Sequence, residues 1–136
     1  MTEETAGPIF LGPSDVFEIH ADQIERYGGA AEIRDQGLML SAIAQPCAAF
    51  GGQFLHDDLF LMAAAYLFHL VQNHPFVDDN KRTGTASALV FLDLSGFEID
   101  CDADALAELV IDVTLRKFGK SEVAEFFRRH AVPRAE

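Results

Sequence analysis

The nine residues from His74 to Arg82, with the sequence His-Pro-Phe-Val-Asp-Asp-Asn-Lys-Arg, hold the side chains best suited to chemistry. They lead directly into an amphipathic segment, residues 83–95, that is followed by Gly96. The spacing of its apolar residues and the terminal glycine predict a helix. The last residues of the nine would then form the first turn of that helix.

Lys81 and Arg82 would lie in this first turn, behind an Asp79 or Asn80 cap. Cations are unfavourable there because the turn already carries partial positive charge and unpaired N–H groups. A bound anion such as a phosphate would explain the placement, with lysine supplying a point charge and arginine a forked one. The simpler alternative is that Asp78 and Asp79 neutralise two exposed cations, and the charge pattern leaves both explanations open.

His74 is suited to general-base chemistry near neutral pH, although a single histidine is more often structural. Asp78 is the natural Mg²⁺ ligand, or alternatively a turn or capping carboxylate. The amide of Asn80 can cap the helix or bind a phosphate oxygen. Phe76 should point inward and anchor the loop, and Pro75 should hold the preceding residue in an extended conformation.

The chain of 136 residues is predicted to be one domain, and its net charge of −12 is its unusual property. A surface with 22 acidic and 10 basic residues would repel a phosphate polymer, which argues against general nucleic-acid binding. A compact basic site could still hold a small phosphorylated ligand together with a divalent cation. A protein partner should present basic groups.

Cys47 and Cys101 fit neither a metal spacing nor a disulfide framework, so a reducing cytoplasm is predicted. The N-terminus does not resemble a signal peptide, and the most apolar run, residues 59–71, is too short to span a bilayer. No membrane association is therefore expected. Walker and Rossmann glycine patterns are absent.

The fold class is predicted to be all-α, with an N-terminal arm over residues 1–13 and one domain over residues 14–130. Apolar periodicity predicts helices over 15–27, 38–45, 59–72, 83–95, 103–117 and 122–130, with short strands near 53–56 and 97–99. The expected helix caps include Ser14, Asp57, Asp102 and Ser121. Among the remaining histidines, His69 is interpreted as a core residue and His20, His56 and His130 as surface residues.

A flexible loop precedes the third predicted helix. Its residues are Gly51, Gly52, Gln53, Phe54, Leu55 and His56. Two apolar residues at the tip indicate either a buried crossing or a mobile flap that pairs with a target peptide through its backbone.

The string from His74 to Arg82 resembles the signature of the Fic/Doc superfamily, His-Pro-Phe-x-Asp/Glu-Gly-Asn-Gly/Lys-Arg. Further stretches resemble death-on-curing (Doc) proteins, namely Arg34-Asp35-Gln36-Gly37-Leu38, Pro46, Phe50-Gly51-Gly52, and Val90 to Phe97. The resemblance covers residues 14–128. It implies a compact bundle of about six helices in which the motif loop and the following helix bind a nucleoside triphosphate.

The resemblance favours the Doc branch, since Lys81 and Thr85 stand where AMP-transferring relatives have glycine and a final arginine. Doc-like proteins are toxins of toxin–antitoxin pairs that use ATP and Mg²⁺ to phosphorylate a threonine of elongation factor Tu, which stops translation. The resemblance thus implies His74 as base and Asp78 as a second catalytic residue, which orients His74 or the target and is the metal ligand. It places Asp79, Asn80, Lys81 and Arg82 in the nucleotide- and phosphate-binding segment. It also implies an antitoxin with a flexible tail.

Asp79 departs from the family pattern, which has a small residue at this position beside the phosphate-binding N–H groups. A carboxylate directed at the phosphates would repel them by about 1–4 kcal/mol at 4 Å. Two alternatives to a kinase therefore remain open at this point. They are an AMP transferase and a catalytically inactive Doc-like binding module.

Overall fold

The computed structural model describes residues 7–135, in which six helices and two small antiparallel strand pairs form an all-α fold, as predicted. The helices are α1 (Pro13–Tyr27), α2 (Gln36–Ala44), α3 (Leu59–Asn73), α4 (Asn80–Leu94), α5 (Ala103–Thr114) and α6 (Lys120–His130). The strands are β1 (Ala49–Phe50), β2 (Gln53–Phe54), β3 (Phe97–Ile99) and β4 (Ala131–Pro133). Strand β1 pairs with β2, and β3 pairs with β4.

Helix α3 lies at the centre of the core, because its alanine-rich and aromatic face is buried against α2, α4 and α6. The contact with α4 is especially close at Gly84. A β-carbon at this position would lie 3.2 Å from the backbone oxygen of Leu67. The glycine therefore lets the backbones of α3 and α4 approach each other, which fixes the start of α4 relative to the core.

Three predicted helix caps are wrong by one or two residues. The N-cap positions belong to Gly12, Asp58 and Gly119, and not to Ser14, Asp57 and Ser121. Asp58 accepts a hydrogen bond from the backbone N–H of Leu61 at 2.8 Å. The two glycines have no capping side chain, and their N–H groups instead donate to the carboxylates of Asp15 and Glu122 at 2.8 Å. The acid three residues downstream thus supplies half of a capping box.

The inner part of the predicted N-terminal arm is fastened to the bundle. Leu11 is buried, its N–H donates to the hydroxyl of Tyr66 at 2.7 Å, and this hydroxyl donates to the Leu11 carbonyl at 3.0 Å. The ring of Phe10 stacks on that of Phe91. Residues 1–6 of the arm lie outside the described residues.

The loop proposed as a flap is a two-residue hairpin turn between β1 and β2. Gly51 and Gly52 have φ values of 60° and 82°, the left-handed backbone that a tight hairpin requires and that glycine adopts without strain. Phe50 and Leu55 are largely exposed. The alternative of a buried crossing is therefore wrong, because the hairpin lies on the surface, where Phe54 contacts only the edge of the bundle through Phe10.

Strand β3 was predicted, but its partner was missed. Strand β4 follows α6 directly and lies beyond the predicted end of the domain at residue 130. None of the helices in residues 7–135 is long and apolar enough to cross a membrane.

Two histidines predicted to be on the surface are buried, namely His20 and His56. His56 joins His69 in accepting hydrogen bonds from the Lys120 ammonium, since each Nε2 atom lies 3.0 Å from Nζ. This cluster joins α3, α6 and the loop that follows the hairpin. Burial, and next the charge of Lys120, lower the pKa of His69 to about 4.

The His69 cluster predicts loss of stability in mild acid. Because the pKa of His69 is lower in the folded state than the ordinary 6.5, the unfolded chain binds more protons between the two values. The free energy of unfolding should therefore decline as the pH falls from about 6.5 to about 4.

Urea unfolding across this pH range tests the prediction. His69→Gln should remove about 1–2 kcal/mol of the decline, less than the full shift implies because the side chain is partly exposed. His130→Gln, outside the cluster, serves as the control. An unchanged pH dependence in His69→Gln would contradict the assignment.

Candidate active site

The motif loop between α3 and α4 is held by a short backbone ladder. The carbonyl of Pro75 accepts hydrogen bonds from the N–H groups of Arg34 at 2.7 Å and Asp35 at 3.0 Å, while Val77 donates to Glu32 at 3.1 Å. The segment before α2 thus runs alongside the motif. Arg34 and Asp35 are thus held next to the motif, so both stretches belong to one site.

His74 ends helix α3 in a left-handed conformation, with φ 51° and ψ 54°, so the predicted extended conformation is wrong. Its N–H still donates to the Leu70 carbonyl. The guanidinium of Arg34 donates to the carbonyls of His74 at 2.7 Å and Asn73 at 3.0 Å. These bonds satisfy carbonyls that a helix end leaves unpaired, and they outweigh the usual preference of a residue before proline.

Phe76 and Asn80 fix the loop to the core. Phe76 is fully buried and its ring stacks on that of His20 at a centroid distance of 3.8 Å. The Phe76 N–H donates to Asn80 Oδ1 at 2.9 Å, and Asn80 Nδ2 donates to the Phe76 carbonyl at 2.8 Å. The Asn80 amide therefore supports the loop. Its contact with a phosphate stays a prediction and would use the second hydrogen of Nδ2.

Asp78 is positioned by the turn that follows α1. Its Oδ2 accepts from the N–H of Ala30 at 2.7 Å, and its backbone carbonyl lies 2.9 Å from Nε2 of His20. A β-carbon on Gly29 would lie only 3.0 Å from the Asp78 side chain, so this glycine permits the close approach. The aspartate is thus oriented by its neighbours before any ligand binds.

Asp79 occupies the N-cap position of α4, but its side chain does not cap the helix. Its Oδ1 instead accepts from Arg82 Nη1 at 3.0 Å, and the guanidinium lies over the Tyr27 ring, 4.3 Å from its centroid. Arg82 is thus neutralised by Asp79, which was the simpler of the two explanations of the charge pattern. Lys81 makes no ion pair with the part of the chain that the structure describes.

The motif residues line one cleft of about 810 Å³. The predicted residues on its wall are His74, Asp78, Asp79, Asn80, Lys81 and Arg82, whereas Phe76 and the hairpin residues 51–55 do not line it. An apolar wall from α5, which includes Leu106 and Val110, faces the charged side. A volume of this size, with an apolar face and a few convergent polar groups, suits a nucleotide-sized ligand.

Residues 7–135 contain no group of three or more histidine, cysteine or acidic residues that could hold a metal ion alone. The exposed carboxylate of Asp78 and that of Asp79 nevertheless lie on the cleft wall beside the cations. Such a set suits Mg²⁺, which usually takes one or two protein carboxylates and completes its shell with phosphates and water.

Sequence reasoning missed three parts of this site. His20 shares a buried face with Val16, four residues earlier in α1, and this helical spacing was a usable signal. Tyr27, at the end of α1, carried no such signal because its contact with Arg82 depends on the tertiary fold. The α5 wall looked like an ordinary amphipathic helix.

The chain is similar to known proteins over most of its length. The family model described as the Fic/DOC family matches residues 10–92. The chain is 37% identical over 100 residues to "Toxin Doc" of Mycolicibacterium smegmatis, which covers 72% of this chain and 77% of that protein. It is 33% identical over 119 residues to "Protein kinase doc" of Escherichia phage P1, which covers 88% of this chain and 93% of that protein. The chain therefore belongs to the Fic/Doc family.

Proposed function

We propose that this protein is a Doc-like toxin that transfers the γ-phosphoryl group of ATP, with Mg²⁺, to a hydroxyl of a target protein. The observation that carries the proposal is the single cleft in which His74, Lys81, Arg82 and the N-terminus of α4 meet. The names of the two relatives, a toxin and a protein kinase, support the same class of activity.

The chemistry would be divided among few residues. His74 is exposed at the end of α3. It would accept the proton of the target hydroxyl while the hydroxyl oxygen attacks the γ-phosphorus. Lys81, Arg82 and the N–H groups of the first turn would stabilise charge on the phosphate oxygens, the main device of phosphoryl transfer. When bound, Mg²⁺ would supply further charge neutralisation, with Asp78 as its ligand.

The contacts of Thr85 support the kinase rather than the AMP transferase. Its hydroxyl donates to the Lys81 carbonyl at 2.8 Å, within α4, and so provides no forked cation for the cleft. Lys81 adds a flexible cation where AMP-transferring relatives have glycine. We infer that the triphosphate lies in the opposite orientation to that in the AMP-transferring relatives. The γ- and not the α-phosphoryl group would then face the hydroxyl.

The proposed target is a threonine of a translation protein such as elongation factor Tu, so activity would stop translation in the cytoplasm. The toxin relatives support pairing with a cognate antitoxin. With a net charge of −12, this protein should attract a flexible basic antitoxin tail, and the attraction should weaken with added salt.

One observation favours the inactive-module alternative. Asp79 already pairs with Arg82, so the site holds an internal anion where the nucleotide phosphates are expected. In that case the protein would bind its partners without turning over ATP.

Incubation with ATP labelled at either the α or the γ position separates these functions. Transfer of γ-label to a protein of a bacterial extract, with a mass increase of one phosphate, is the expected result. Transfer of α-label would indicate AMP transfer, and transfer of neither would favour the inactive module.

His74→Ala should lower the rate of phosphoryl transfer about 10²–10⁴-fold, the usual share of a general base. Nucleotide affinity, measured by calorimetry, should change little. His130→Ala, which removes a histidine that does not line the cleft, is the matched control. Undiminished transfer by His74→Ala would remove this residue from the mechanism.

The hairpin is the proposed binding edge for the target. Leu55→Ser should raise KM for the protein target about tenfold, because an exposed leucine buried on binding contributes on the order of 1.5 kcal/mol. Nucleotide affinity should stay the same. Leu115→Ser is a close control, since the leucines are 63% and 59% exposed and Leu115 follows α5. Equal effects of both substitutions would contradict the role of the hairpin.

A further inference from the structure

Asp79 combines a left-handed backbone with a burial that is unusual for an acidic residue. Its φ of 66° and ψ of 31° lie in a region that glycine enters freely and that, among residues with a β-carbon, mainly asparagine and aspartate adopt. Its side chain is only 9% exposed, although it lines the cleft. Backbone strain of this kind is often associated with a functional site.

The two carboxylate oxygens of Asp79 differ in their surroundings. Oδ1 accepts from Arg82 Nη1 at 3.0 Å, whereas Oδ2 is buried and has no hydrogen-bond partner in the described part of the chain. A buried carboxylate oxygen without a partner is costly. The hydrogen-bonding capacity of the Asp79 carboxylate is therefore only partly used by the described part of the chain.

Arg82 is restrained by two neighbours. The Asp79 carboxylate contacts one edge of the guanidinium, and the Tyr27 ring covers one face. Arg82 is also the forked cation in the first turn of α4, where the proposed function requires a phosphate. A phosphate that contacts Arg82 must therefore share the guanidinium with the buried carboxylate of Asp79.

From this geometry we propose that Asp79 competes with nucleotide phosphates for Arg82 and thereby makes ATP binding depend on a divalent cation. This inference rests on the proposed nucleotide site. Without the cation, the negative charges of Asp79 and the phosphates repel each other across the cleft. A cation bound with the phosphates would neutralise part of their charge and so weaken this repulsion. Asp79 is thus a regulatory residue of the site.

The test measures binding of a non-hydrolysable ATP analogue by titration calorimetry, in EDTA and in saturating Mg²⁺. In EDTA, Asp79→Asn should bind the analogue about tenfold more tightly than the natural protein, because Arg82 is released from its ion pair with Asp79 and can bind the phosphates. In saturating Mg²⁺ the difference should shrink to less than about threefold. Asparagine tolerates left-handed backbone, so this variant should fold, and Asp79→Gly provides a second test at the same position.

Two controls isolate the mechanism. Glu25→Gln removes the same unit of charge from an exposed position on α1 and should leave both affinities within about twofold. In an Arg82→Met background, Asp79→Asn should lose most of its gain, because the competition acts through Arg82.

The outcomes distinguish this inference from the proposed function. An Asp79→Asn variant that binds no more tightly in EDTA, or whose gain persists without Arg82, would overturn the competition and leave the kinase proposal standing. If neither the natural protein nor either Asp79 variant binds the analogue in EDTA or in Mg²⁺, both proposals fail.

Discussion

The reciprocal pair of hydrogen bonds between Asn80 and the backbone of Phe76 is the constraint on which the site depends. It joins the first residue of α4 to the middle of the motif loop, and the Phe76 ring stacks on His20 in the core. Buried polar groups must be paired, so this arrangement has little freedom to change. The position of every charged group in the cleft follows from it, since Asp78, Asp79, Lys81 and Arg82 are each within two residues of Asn80.

The site also shows how an acidic protein can present two cations to one ligand. Lys81 and Arg82 follow Asn80 directly and share a cleft wall with two carboxylates, so the local field is mixed rather than simply positive. The opposite wall, from α5, is apolar and would lower the local dielectric on ligand binding. Electrostatic interactions across such a cleft are stronger than those on an open surface. Small changes in its charged residues should therefore have large effects on binding.

Much of this organisation was predictable from sequence, and the reasons are local. Helical periodicity and glycine positions indicated six helices, and the spacing of the motif placed Lys81 and Arg82 in the first turn of α4. The errors have tertiary causes. The conformation of His74 depends on Arg34, forty residues away. His20 is buried because Phe76 stacks on it. Tyr27 belongs to the site because the Arg82 guanidinium lies over its ring. Glycine N-caps were missed because the acid that completes them lies three residues downstream.

The close approach of α3 and α4 at Gly84 has a consequence for how the protein accommodates its ligands. With the carbonyl of Leu67 just beyond the glycine, any larger residue at position 84 would push the two helices apart. The start of α4, and with it Lys81 and Arg82, would then move relative to the core. Position 84 therefore controls the geometry of the cleft although Gly84 itself does not line it.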